Sequence, residues 1–76
     1  MEFKVQIYSE NHFFLAVSHD YLLKVSGKSL EDAKEKFKKA IAAHRIYCAQ
    51  IGEEPFEKIE NRRVRLDGKL WVYTEE

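Results

Sequence analysis

The sequence predicts an α+β fold in two layers, β-β-β-α-β(-β), with one long helix packed on a small, mainly antiparallel sheet. Three observations carry that prediction. Near the start, Phe3, Val5 and Ile7 alternate with Glu2, Lys4, Gln6 and Tyr8, the period-two pattern of a strand with one buried face. The stretch Ser26 to Pro55, SGKSLEDAKEKFKKAIAAHRIYCAQIGEEP, holds the start and stop signals of a single helix. Towards the end, Asp67-Gly68 stands between two alternating runs, the signature of a tight hairpin whose central residues both need positive φ.

The first strand is expected at about residues 2–8, followed by polar turn material from Ser9 to His12. Phe13 to Ser18 (FFLAVS) is apolar on both faces, as in a central strand, and residues 21–26 supply a third strand. The helix is expected over residues 30–51. Ser29 and Asp32 form an S-x-x-[DE] capping box, in which the serine oxygen accepts from a free backbone N–H and the carboxylate reaches back to the cap. Asp32 to Lys36 and Glu35 to Lys39 are i,i+4 pairs that support the exposed face. Gly52 takes the left-handed position after the last turn, and Pro55 forbids continuation. At roughly 100° per residue, Leu30, Ala33, Phe37, Ala40, Ile41, His44, Cys48 and Ile51 fall on one stripe, which becomes the core face. The closing hairpin is expected at about residues 62–74, with Val64 opposite Trp71 and Arg62 opposite Tyr73.

The helix changes character halfway. Up to Lys39 its outer face is charged, but in AIAAHRIYCAQI only His44, Arg45 and Gln50 are polar. Ile46, with Ala42 and Ala49 beside it, points away from the core stripe and predicts an interface with a partner. One helix covers one face of a sheet. The sheet side expected to carry Tyr8, Phe14, Ala16 and Leu22 is therefore a second candidate surface, for a protein partner or for base stacking.

Composition narrows the function. Seventy-six residues at 45% apolar and 13% aromatic make one globular domain spanning 1–76. A chain of this size buries only about 60% of its unfolded surface, so a homodimer would add needed stability. The formal net charge is zero, which argues against a dominant polyanion-binding face. A lone cysteine with neither a signal-peptide pattern nor an apolar span fits a reducing cytoplasm and no membrane.

Candidate chemistry is sparse. His44 and Cys48 have the i,i+4 spacing of two metal ligands, and His12 and His19 are the other imidazoles. Both helix residues lie on the core stripe, where cysteine acts as a small hydrophobe, so no metal site and no cofactor are expected. Glu2, Glu10 and Asp20 are the carboxylates of the first three strands and their turns. They fall at a strand start and in turns, where two-metal phosphoryl chemistry would need several to converge, and Asp20 beside His19, a candidate acid/base pair, is an adjacency on a turn that is commonly innocent. No nucleophile-base constellation or glycine-rich phosphate loop is present, and a non-catalytic role follows. Arg62, Arg63 and Arg65, with Trp71 and Tyr73 across the hairpin, are the residues that can pair phosphate contacts with stacking. Acidic neighbours in the same terminal segment weaken their field.

The order of hairpin, short third strand, G-x-[ST]-L-E-[ED]-A, long helix and G-E-x-P resembles the small domain of HicB-type antitoxins, a partial RNase H-like fold. Ala16, Gly27, Ser29, Leu30, Glu31, Asp32, Ala33, Ala40, Ile41, Gly52, Glu53 and Pro55 carry the resemblance, which runs from Phe3 to Phe56. The family's P-[DE]-L-P-G-C turn is replaced by Ser18 to Leu23, SHDYLL, and no C-terminal DNA-binding pattern is recognisable. The resemblance implies a binding module that neutralises a small basic HicA-like mRNA-cutting toxin by protein-protein contact. The alternative is a nucleic-acid-binding protein using the C-terminal hairpin or the open sheet face.

Overall fold

In a computed structural model, the structure describes residues 1–59 and 67–75. Strands β1 (Glu2–Glu10), β2 (Phe13–Ser18) and β3 (Lys24–Gly27) lead into helix α1 (Leu30–Ile51), and β4 (Lys69–Thr74) closes the fold. The sheet order is β3-β2-β1-β4, with every neighbouring pair antiparallel. This is the α+β architecture expected, one helix on one four-stranded sheet. The expected pairing of residues 62–66 with β4 falls outside the described residues.

β1 runs two residues further than its alternation suggests, because the loop after it is only Asn11-His12. Both loop residues have positive φ, 48° and 71°, as a type I′ turn demands. Asparagine tolerates that region well. Glu10 therefore pairs with Phe13, Ser9 with Phe14, Tyr8 with Leu15 and Ile7 with Ala16. β3 begins at Lys24, later than expected, since residues 19–23 are taken up by a turn. Ser18 organises that turn, its N–H donating to Leu23 O (3.0 Å) and its Oγ accepting from Tyr21 N (3.1 Å).

The helix has the bounds its capping chemistry predicts. Ser29 Oγ accepts from Asp32 N (3.1 Å), and Asp32 Oδ2 accepts from Lys28 N (2.9 Å), one residue before the cap. That bond, then Lys36 at 3.3 Å, holds the Asp32 carboxyl below its ordinary pKa of 3.8. Glu35 pairs with Lys38 at 3.4 Å instead of the expected Lys39. At the other end Gly52 adopts φ 72°, and Glu53 N donates to Cys48 O (2.9 Å), closing a Schellman motif.

Between the layers, Phe3, Val5, Ile7 and Ala16 of the sheet meet Ala33, Phe37 and Ile41 of α1, with Phe56 completing the cluster. Phe3 is its centre, with ring centroids of Tyr21, Phe37, Phe56 and Tyr73 at 5.2–6.3 Å. The helical stripe was expected to continue to Ile51, yet Ile51 is 46% exposed. Burial on α1 ends at Cys48, and the core is closed at that end by Phe56 from the segment after the helix. Arg45 bonds the Glu75 carboxylate and lies 4.9 Å over the Phe56 ring. Backbone bonds between Met1 and Glu75 join the start of β1 to the end of β4.

Candidate functional site

Directly opposed residues on antiparallel strands share a face, so the register decides which side chains the helix covers. Ile7 opposite Ala16 and Ser9 opposite Phe14 put Ala16 and Phe14 on the helix side, where Phe14 packs against the core. This corrects the expectation that Phe14 and Ala16 belong to the open face. FFLAVS is apolar on both sides, and the length of the Asn11-His12 loop sets its parity. Leu22 is 80% exposed but belongs to the turn before β3, not to the sheet. Tyr8 does lie on the open side, opposite Leu15.

The open face carries apolar side chains on both strands that flank β1. Tyr8 and Leu15 are half-buried there, Phe13 is 52% exposed, and Leu70 and Val72 on β4 are 58% and 47% exposed. Phe13 and Leu15 border a shallow hollow of about 380 Å³, with Glu10, Asn11, Lys24 and Ser26 around it. Glu2, Lys4, Glu10 and Lys24 share this side by strand alternation. Phe13, Leu70 and Val72 were missed from the sequence, although Leu70 and Val72 alternate visibly with Trp71 and Tyr73.

Gln6 supports this face from within. Only 4% exposed, it donates from Nε2 to Asp67 O (2.8 Å), and its Oε1 accepts from His19 Nε2 (3.1 Å). Both ends of the buried amide are thereby satisfied, which makes the burial tolerable. One side chain thus fixes the approach to β4 and the end of β2 against β1.

On the outer side of the late helix, Ala42, Ile46, Tyr47 and Ala49 are exposed, Ile46 at 61% and Tyr47 at 58%. This second apolar patch lies where helical periodicity placed it.

Of the nucleic-acid candidates, Trp71 and Tyr73 do not lie on the open face. Arg62, Arg63 and Arg65 lie outside the described residues. Trp71 opposite Val5 and Tyr73 opposite Phe3 face the helix. Trp71 meets Phe37 edge-on at 5.9 Å, and Tyr73 stacks on Phe3. Lys34 and Lys38 sit 5.6 Å over the Trp71 and Tyr73 rings, occupying faces that a stacking base would use. The cross-strand partner, β1, sets this parity.

His44 and Cys48 come together as the i,i+4 spacing implies, with Nε2 and Sγ 3.5 Å apart. Among the described residues no group of three or more His, Cys, Asp or Glu is arranged to hold a metal ion. His44 Nε2 also accepts from Phe56 N (3.5 Å), so that nitrogen is engaged within the fold. No helix among the described residues is long and apolar enough to cross a membrane.

Comparison with protein-family models, with curated proteins and with solved structures finds no match.

Proposed function

We propose that the protein is a non-catalytic binding module whose working surface is the open face of the sheet. The observation that carries this is the set of apolar side chains on the two strands flanking β1, Phe13 and Leu15 on β2 and Leu70 and Val72 on β4, on the side away from the only helix among the described residues. Large apolar side chains exposed together on one face of a small domain mark an interaction site. The hollow beside Phe13 gives a partner side chain somewhere to anchor, as interface hot spots require. The mixed charges around it suit a protein surface better than a phosphate backbone.

Within that reading, the specific role is a HicB-like antitoxin, active as a homodimer in the cytoplasm, that neutralises a small basic HicA-like mRNA-cutting toxin by covering it. The helix-opening motif, the long helix and the strand order that carry the resemblance support it. Trp71 and Tyr73 facing the helix weigh against the nucleic-acid alternative.

The test is to look for a small basic protein encoded beside the chain, co-express the two, and measure complex formation by calorimetry and RNA cleavage by the partner. The expected result is a stable complex and suppressed cleavage. Leu70→Glu and Phe13→Glu should each weaken binding at least about ten-fold, as burying an unpaired carboxylate in an interface does. Circular dichroism should stay unchanged. A wild-type chain that is monomeric at high concentration by light scattering and ignores the neighbouring protein refutes both the dimer and the antitoxin.

A further inference from the structure

A cavity of about 360 Å³ opens between the turn after β2, the second half of α1 and the segment that follows the helix. It is the size of a small-molecule site, which typically occupies about 300–1,000 Å³, and it lies on the helix side, remote from the face discussed above. Its walls are apolar and aromatic, from Tyr21, Leu23, Phe56 and Ile59. On α1 it is bordered by His44 and Cys48, one turn apart and in mutual contact. Leu22 also borders it, and the charged lining is one-sided: Glu53, Glu54 and Glu57 against Lys58.

Two features keep this cavity formed. Ile59 N donates to Asp20 O (2.7 Å), tying the segment after the helix to the β2–β3 turn. Phe56, held at φ 58°, sends its ring into the core against Phe3 and Tyr21, while its N–H turns to His44. A bulky residue at positive φ is costly and persists only where its surroundings over-determine it. Here four ring and cation contacts, with Phe3, Tyr21, His44 and Arg45, do so.

We propose that this cavity binds a small organic cation with an aromatic or apolar body. The walls recognise the body by burial, and the half-buried Tyr21 ring is a π surface of the kind that attracts cations; the Phe56 ring, already covered by Arg45, contributes apolar contact only. The carboxylates at the lining raise the local concentration of positive charge and disfavour anions. The proposal is independent of the protein-binding role and stands or falls separately.

The test uses the full chain, labelled with nitrogen-15, titrated with phenethylammonium, 2-phenylethanol and 3-phenylpropanoate, which share a body and differ in charge. Phenethylammonium should shift the amide signals of Tyr21, Leu23, His44, Cys48 and Phe56 saturably. It should bind about five-fold or more tighter than the alcohol, with the carboxylate weakest, and the preference should shrink as salt screens the carboxylates. Replacing Glu53, Glu54 and Glu57 together by Gln, all exposed positions, should bring ammonium and alcohol to within about two-fold, because the field is then removed. Shifts absent from this set of amides, or any ranking in which the ammonium is not tightest, overturn the proposal.

Discussion

Gly27→Ala is the smallest perturbation that tests how the helix is seated on the sheet. Gly27 ends β3, and three residues later α1 begins by crossing back over it. A Cβ built on Gly27 would lie 2.5 Å from Ala33 N, 2.8 Å from Ala33 Cα and 2.9 Å from Asp32 C. All three are backbone atoms of the first helical turn, so no side chain can rotate away and the helix itself must move. Overpacking costs about 1–3 kcal/mol, and a clash with backbone belongs at the upper end, about 3 kcal/mol. Unfolding entropy of about 2.1 cal/mol/K per residue over 76 residues gives roughly 0.16 kcal/mol/K, so the expected loss in Tm is roughly 15–20 °C. Gly52→Ala is the control. Its Cβ would meet nothing within 4 Å, but φ is 72°, and the left-handed conformation alone costs about 1 kcal/mol, or roughly 6 °C. Thermal melts by circular dichroism, with urea titrations to check the slope, separate the two. A flexible glycine replaced by alanine without strain gains about 0.4–1 kcal/mol. If Gly27→Ala melts at or above the wild type, the close approach of helix to strand is wrong.

Adjacent residues on β2 test the register. Phe14→Glu puts a carboxylate against the core and should cost about 2 kcal/mol or more, whereas Phe13→Glu on the open side should stay within about 0.5 kcal/mol; equal losses in urea titration would mean the strand is read on the wrong face. Asp32→Asn tests the cap through pH. The folded pKa of Asp32 lies below its ordinary 3.8 because of the Lys28 N–H and then Lys36, so its stabilisation is complete above pH 3.8 and is lost as pH falls through the lower folded value. The variant should therefore lose stability at neutral pH and show a flatter acid limb; an unchanged limb in melts across pH 5 to 2 would remove Asp32 from the cap.

The elements best anticipated are those whose signals act over a few residues. Ser29, Asp32 and Gly52 set the helix ends through hydrogen bonds made within one turn, and the exposed Ile46 follows from helical period alone. Phe56 escaped because a lone aromatic in a segment without period carries no sign of its destination. Its place depends on Phe3, Tyr21 and Arg45, all distant in sequence. The turn after β1 was anticipated at Ser9 to His12, but its tightening to Asn11-His12 was not, because it uses positive φ without a glycine.

The sequence alone determined the α+β class, the helix and its caps, and the alternation that makes β1 the centre of the core. Which side chains the sheet offers to a partner was decided by tertiary structure. Side-chain direction in a strand has period two, so a one-residue change in pairing exchanges both faces. That pairing joins residues as remote as Glu2 and Thr74. Phe14, Trp71 and Tyr73 went to the helix, and Phe13, Leu70 and Val72 to the open side, because burying aromatic rings around Phe3 and Phe37 gains more than exposing them. No local pattern in FFLAVS or KLWVYT distinguishes the two arrangements. Only the packed core does.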